Sequence, residues 1–150
     1  MNLIISILLI LSPILLLTAQ HLSANEKGYY ISKDKQDFLG ALTLCKTYGL
    51  ELVSLRTPED EAELDYALNE FNASTEVGYW LAGTKLKTGD WYWVTTGNMV
   101  LYTNWGDGQP DNSGGYENCL ELGNFNQYRQ PRKWNDLNCT IELNFICKQP

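Results

Sequence analysis

Histidine is almost absent from this chain of 150 residues, since His21 is the only one. Zinc sites and general acid–base catalysis at neutral pH depend largely on imidazole side chains. His21 also lies at the end of an apolar N-terminal segment whose removal would leave the chain without imidazole. The sequence therefore argues against a histidine-ligated zinc site and against histidine-based catalysis.

Charged residues are absent from the N-terminal segment, where no Asp, Glu, Lys or Arg precedes Glu26. An almost continuous apolar run extends from Leu3 to Ala19. This pattern predicts a secretory signal over residues 1–24, cleaved between positions 19 and 24. The alternative is an uncleaved membrane anchor, which Pro13 and the limited length of the run disfavour. We expect a secreted, extracellular protein without stable membrane insertion.

Basic residues are also few, with 11 Lys and Arg against 18 Asp and Glu, for a formal net charge of −7. Proteins that bind nucleic acids normally present a basic face to the phosphate backbone. A nucleic-acid partner is therefore not expected.

Cysteine is present four times, an even number that leaves no spare thiol in an exported chain. Such a chain is expected to form two disulfides, and the count alone leaves more than one pairing open. Two N-x-[ST] sequons predict N-glycosylation at Asn72 and at Asn138.

The composition, with 44% hydrophobic and 12% aromatic residues, suits one compact domain. Periodicity and capping residues in the first half predict strand, helix, strand and helix in that order. The predicted ranges are residues 28–32, a helix from Phe38 that ends at Gly49, Glu51–Leu55, and a helix from Thr57 to Phe71.

The second half consists of short aromatic or alternating segments between turn residues, which predicts antiparallel strands and irregular loops. Trp91 and Trp93 share one face of such a strand, and we expect them in the core. The whole chain is predicted to be α+β. The strand segments are VGYWLAG, DWYWV, MVLYTNW, NCLEL and LNFICK.

The segment QPDNSGGYENC, residues Gln109–Cys119, is unusually rich in side-chain oxygen. Gln109 and Asp111 flank a proline, and a cis Gln-Pro bond would turn both side chains toward one point. A further amide and carboxylate follow at Asn135 and Asp136. Hard cations such as Ca²⁺ bind carboxylate and amide oxygens. The sequence thus predicts a calcium site shared by these two segments.

The order and spacing of five motifs resemble the C-type lectin domain, in the short secreted single-domain form found in insects. The resemblance covers about residues 28–148 and implies two helices packed on short antiparallel sheets with a long irregular calcium-binding loop region. The motifs are WLAG at 80–83, QPD at 109–111, ENC at 117–119, WND at 134–136 and FIC at 145–147.

The resemblance also implies how this domain works. In the family a calcium ion and a pair of vicinal sugar hydroxyls share the same ligands, and members with QPD generally prefer galactose-type sugars. The disulfides implied are Cys45 with Cys147 and Cys119 with Cys139. The implied calcium and carbohydrate ligands are Gln109, Asp111, Glu117, Asn135 and Asp136.

Two aromatic residues are candidates for a sugar platform. Galactose-binding members carry a tryptophan two residues after the QPD aspartate, where this chain has Ser113. Tyr116 or Tyr128 is predicted to replace it, the alternative being that each is an ordinary loop or core tyrosine.

Two other departures from the family pattern concern charged residues. The segment GNFNQYRQPRK carries Arg129, Arg132 and Lys133, which either contact a further sugar or an anionic substituent or are simply solvated. Additional calcium sites of the family use acidic residues where this chain has Asn112 and Asn118, so we expect one ion.

Two other functions remain open from sequence. Asp111 with Glu117 or Asp136 could form a glycosidase acid–base pair, but that mechanism needs a closed cleft that raises one carboxyl pKa. A calcium-independent protein-binding module of the same fold is disfavoured by the intact ligand set. We expect a non-enzymatic, calcium-dependent, galactose-type lectin acting in glycan recognition or agglutination, with oligomerisation as a possible source of avidity.

Overall fold

The protein is described by a computed structural model that places residues 22–24, 28–125 and 130–150. The predicted leader up to position 21 lies outside these residues, as do Tyr128 and Arg129. Within the described ranges no helix is long and apolar enough to span a membrane.

In the part of the chain that the structure describes, two helices form where periodicity and capping residues predict them. Helix α1 covers Phe38–Thr47, and Asp37 caps it by accepting the N–H of the residue three positions on, at 2.7 Å. Helix α2 covers Pro58–Glu70, and Thr57 caps it in the same way at 3.1 Å. A left-handed glycine, Gly49 with φ +73°, follows α1 and turns the chain back toward the sheet.

Among residues 22–24, 28–125 and 130–150, eight strands form one sheet in the order β1-β2-β8-β4-β6-β7, with β3 paired to β8 and β5 paired to β4. The β4–β8 pair is parallel and the other pairs are antiparallel. With two helices beside this sheet, the predicted α+β class is confirmed. The strands are β1 Leu22–Ala24, β2 Tyr29–Ser32, β3 Glu51–Leu52, β4 Tyr79–Lys85, β5 Trp91–Trp93, β6 Cys119–Phe125, β7 Gln130–Leu137 and β8 Asn144–Lys148.

Three strand predictions need correction. The predicted strand Glu51–Leu55 is only two residues long. The segment MVLYTNW makes isolated bridges, Met99 to Tyr92 and Trp105 to Trp134, because its two ends pair with different strands. Conversely, residues 130–133 of the segment GNFNQYRQPRK, which is not among the predicted strands, belong to β7. Its proline is tolerated there because β7 ends the sheet order.

The core is one cluster centred on tryptophans. Trp80, Trp93 and Trp134 are fully buried, and Trp93 meets Trp134 edge to face with ring centroids 5.7 Å apart. Trp91 is partly buried and packs on Trp105 at 5.0 Å. The expectation of a core role is thus confirmed for Trp93, while Trp91 lies at the margin of the core.

The disulfides join the pairs that the resemblance implied. Cys45 on α1 is bonded to Cys147 on β8, and Cys119 at the start of β6 is bonded to Cys139 just beyond β7. The second bridge closes the β6–β7 hairpin at the end that carries WND. Both predicted bridges are therefore confirmed.

A buried carboxylate links α2 to the segment that leads into the oxygen-rich loop. Glu61 is only 7% exposed, and the Asn104 amide donates to it at 3.0 Å. Burial raises the pKa of Glu61, and the Asn104 hydrogen bond acts in the opposite direction. Ionised Glu61 is consequently less favourable in the folded than in the unfolded chain.

The Glu61→Gln variant should therefore change how stability depends on pH. A raised folded pKa means that the contribution of Glu61 is complete below its unfolded pKa and is lost as pH rises through the folded pKa. Glutamine cannot ionise and keeps an acceptor for Asn104, so the variant should melt higher relative to the wild type at pH 7 than at pH 4. Melting curves at both pH values test this, with the exposed Glu70→Gln as the control. Parallel pH profiles for Glu61→Gln and the wild type would contradict it.

Candidate functional site

The oxygen-rich loop begins beside β7. The Gly106 N–H donates to the Trp134 carbonyl at 2.8 Å, and the Trp134 N–H donates to the Asn104 carbonyl at 2.9 Å. The Gln109–Pro110 peptide is cis, which is the isomer considered above. These contacts bring the first residues of QPD next to WND.

Asp136 is the centre of the site. It is fully buried on β7, and its Oδ1 accepts the Asp111 N–H at 2.9 Å. Its Oδ2 accepts the Asn112 N–H at 2.9 Å and lies 3.5 Å from the Lys85 ammonium. A single carboxylate of the sheet therefore fixes the backbone of the loop that faces it.

Two further carboxylates converge on the same point. Asp111, Glu117 and Asp136 each offer one oxygen, and these oxygens lie within 4.8 Å of one another. The Ser113 N–H donates to Asp111 Oδ1 at 3.1 Å and to Glu117 Oε2 at 2.9 Å. Burial raises the pKa of Glu117, and the negative charges of Asp136 and Asp111 add to that rise. Backbone N–H donors thus hold the three carboxylates close together despite the repulsion between their negative charges.

The cluster fits a hard divalent cation. Calcium binds oxygen at about 2.3–2.6 Å, so ligands on opposite sides of one ion lie up to roughly 5 Å apart. The 4.8 Å spread of the three carboxylate oxygens falls within that span. Oxygen-only ligands of this charge are typical of calcium and unlike zinc sites, which use nitrogen and sulfur.

The two amide candidates are placed differently. Gln109 lies beside the carboxylates, since its Oε1 accepts the Asp111 N–H at 3.1 Å. Asn135 donates its amide nitrogen to Glu121 Oε2 at 2.9 Å, directly across the β6–β7 ladder. This hydrogen bond leaves the amide oxygen of Asn135 as its potential cation ligand.

The structure describes only one of the two tyrosine candidates for a sugar platform. Tyr116 is 60% exposed in the loop and lies over Gly114. Gly114 has φ +68°, and a Cβ there would come within 2.4 Å of the tyrosine ring, so glycine is required for this packing. Tyr128 lies outside the described residues, and its role stays a prediction.

The structure describes the asparagine of both sequons. Asn72 is exposed at a left-handed turn after α2, with φ +47°. The Asn138 side-chain oxygen accepts both the N–H and the hydroxyl of Thr140 at 3.0 Å. Glycan attachment at either position stays a prediction.

Two further residues lie at the site and were not predicted from sequence, Lys85 and Glu121. Both reach it through strand pairing, because β6 lies between β4 and β7. Burial raises the pKa of Glu121, and its hydrogen bond from Asn135 acts in the opposite direction. No local motif marks either residue, although an alternating strand that carries a charge beside ENC is a weak signal for Glu121.

Two of the three basic residues contact other parts of the fold, which corrects the alternative that they are simply solvated, whereas Arg129 lies outside the described residues. Arg132 is 17% exposed and pairs with Asp65 of α2 at 3.4 Å. The Lys133 ammonium donates to the Asn104 side-chain oxygen. Arg132 and Lys133 therefore attach β7 to its neighbours.

Comparison with known proteins identifies the family. The sequence model described as the lectin C-type domain matches residues 34–149. C-type lectin 37Da of Drosophila melanogaster is 31% identical over 131 residues, which cover 84% of this chain and 69% of the relative. Perlucin of Haliotis laevigata is 34% identical over 127 residues, covering 81% and 75% respectively.

Comparison of the fold with solved structures identifies the same family. The carbohydrate-recognition domain of the mouse scavenger receptor C-type lectin superposes with a TM-score of 0.68 at 28% identity, covering 85% of this chain and 92% of that domain. Such domains bind carbohydrate and are not enzymes, so the non-enzymatic prediction is confirmed. The chain belongs to the C-type lectin family of carbohydrate-binding domains.

Proposed function

We propose that this chain is a secreted, calcium-dependent lectin for galactose-type sugars. The observation that carries the proposal is the meeting of three carboxylate oxygens within 4.8 Å in a loop that opens with Gln-Pro-Asp. Its similarity to a carbohydrate-recognition domain supports sugar binding. The oxygen-only ligand set supports calcium as the metal.

In this proposal Asp111, Glu117 and Asp136 hold the ion with carboxylate oxygens, and Gln109 and Asn135 hold it with amide oxygens. Bound calcium supplies open coordination positions that a pair of neighbouring sugar hydroxyls can fill. The same side chains hydrogen-bond those hydroxyls, so that metal and sugar recognition occur in one place. The exposed Tyr116 ring offers an apolar surface near the loop for the nonpolar side of the sugar.

The order of donors and acceptors underlies the proposed sugar preference. The Gln109 oxygen faces the Asp111 N–H, and the amide NH₂ group remains as a donor. Asp111 can only accept when ionised. A sugar must match one donor position and one acceptor position, and the QPD order is the one associated with galactose.

A paired column experiment tests the proposal. The purified mature domain should be retained on galactose-agarose in millimolar calcium, be released by EDTA, and pass through a matched mannose column. Passage through the galactose column in calcium would contradict the sugar assignment. Retention that is unchanged in EDTA would contradict the calcium dependence and favour a calcium-independent binding module.

Exchange of the donor and acceptor positions should reverse the preference. Gln109→Glu combined with Asp111→Asn keeps the net charge of the site and keeps a side-chain oxygen at both positions. Each misplaced hydrogen bond costs about 1–1.5 kcal/mol, so the two exchanged positions together should shift the preference toward mannose by roughly 30-fold or more. Competition by free galactose and free mannose measures it. A variant that binds calcium but still prefers galactose would contradict the proposed role of this pair.

The proposal also includes secretion, N-glycosylation at Asn72 and Asn138, and an increase in avidity through oligomerisation. The apolar segment at residues 1–24 and the two disulfides support an extracellular location. A single shallow site binds monosaccharide weakly, so agglutination would require several linked sites in an oligomer.

A further inference from the structure

A lysine reaches the carboxylate cluster from the sheet. Lys85 is the last residue of β4, and its ammonium lies 3.5 Å from Oδ2 of the buried Asp136. Its backbone N–H donates to the Asn118 carbonyl at 2.8 Å, and its ammonium sits 5.5 Å from the centroid of the Trp91 ring. With a side chain only 14% exposed, Lys85 is held on several sides.

The position of this ammonium has an electrostatic consequence. A fully buried carboxylate such as Asp136 is unfavourable unless it is paired and hydrogen-bonded. Asp111 and Glu117 add two more carboxylates within 4.8 Å. The positive charge of Lys85 therefore offsets only one of the three negative charges of the cluster.

We propose that Lys85 is a resident cation of the site, which holds Asp136 and the loop in place without calcium and weakens calcium binding by competing for the same carboxylate. This inference rests on the proposed function. Lys85 is a positioning residue, because it acts on the ion and on the loop through Asp136. The loop amides of Asp111 and Asn112 depend on Asp136, so the loss of Lys85 should loosen them.

Lys85→Met tests both halves of the proposal. Methionine keeps most of the apolar stem but removes the charge. Because a unit positive charge repels a divalent ion a few ångströms away, removal of that charge should make calcium bind about tenfold more tightly or more. In EDTA, the Asp111 and Asn112 amides should exchange their hydrogens faster than in the wild type. A calcium affinity that is unchanged or weaker would overturn the proposal, and so would unchanged amide exchange.

Two matched variants separate charge from packing. Lys85→Arg keeps the positive charge and should leave the calcium dissociation constant within about twofold of the wild type. Lys87→Met removes the same charge from an exposed position two residues away and should have equally little effect. Tighter calcium binding in Lys85→Arg would show that the charge is not the cause and would overturn the proposal.

The wild-type titration distinguishes this inference from the proposed function. A wild-type domain that takes up no calcium contradicts the proposed function and removes the basis for competition. A wild-type domain that binds calcium, beside a Lys85→Met variant with the same affinity, contradicts the role of Lys85 alone. Lys85→Gln provides a second neutral variant if the methionine form does not fold.

Discussion

The Asp136→Asn variant is expected to lose calcium affinity by about a hundredfold or more and to lose retention on galactose-agarose with it. The change removes one negative charge from the centre of the cluster and the ion pair with Lys85. It also places an amide NH₂ opposite one of two backbone donors, the Asp111 and Asn112 N–H groups. Both N–H groups are partly buried, and the loss of an acceptor for one of them should loosen the empty loop as well.

Calcium titration by calorimetry and the galactose column measure these losses. Asp107→Asn is the matched control, because it removes the same charge from an exposed residue of the same loop. The control should bind calcium within about twofold of the wild type, since exposed charges are strongly screened. Wild-type calcium affinity in Asp136→Asn would remove this carboxylate from the proposed ligand set.

Removal of the Cys45–Cys147 bridge is expected to cost about 4–5 kcal/mol of unfolding free energy. The bridge spans 102 residues and ties α1 to the last strand, so its loss frees most of the domain in the unfolded state. Urea unfolding of Cys45→Ala with Cys147→Ala measures this cost. A loss well below that of the shorter bridge would contradict the expectation.

The Cys119–Cys139 bridge provides the comparison. It spans 20 residues, and its removal should cost roughly 3 kcal/mol. Because it closes the hairpin beside Asp136, its loss should weaken calcium binding more than loss of the longer bridge does. The two double variants should thus rank in opposite order for stability and for calcium affinity.

Bound calcium is expected to contribute less to stability than either bridge. A dissociation constant near 10⁻⁴ M, at about 1 mM free calcium, would stabilise the folded state by roughly 1.4 kcal/mol. We therefore expect the bridges and the tryptophan core to maintain the fold and the proposed ion to act mainly on the loop.

Local chemistry explains which elements could be predicted from sequence. Both helices carry their boundaries in capping residues, as Thr57 and Gly49 illustrate. The segment MVLYTNW has the composition of a strand but lies between β5 and β7, where each end meets a different partner. The start of strand β7 was not predicted from sequence because its first residues are polar and include a proline. Pairing partners are set by the tertiary fold, which propensity does not reveal.

The candidate site likewise combines features that local sequence predicts with features that only the tertiary fold determines. The carboxylates Asp111, Glu117 and Asp136 occur in motifs, and the structure brings their oxygens together. Lys85 is distant in sequence from both motifs and meets Asp136 only because β6 lies between β4 and β7. The members of the carboxylate cluster can thus be predicted from motifs, whereas the positive charge beside the cluster depends on the order of strands.

Calorimetric titration of the purified domain with calcium tests the central claim most directly. We expect one ion per chain, with a dissociation constant on the order of 10⁻⁴ M. The absence of binding at millimolar calcium would contradict the account of the site.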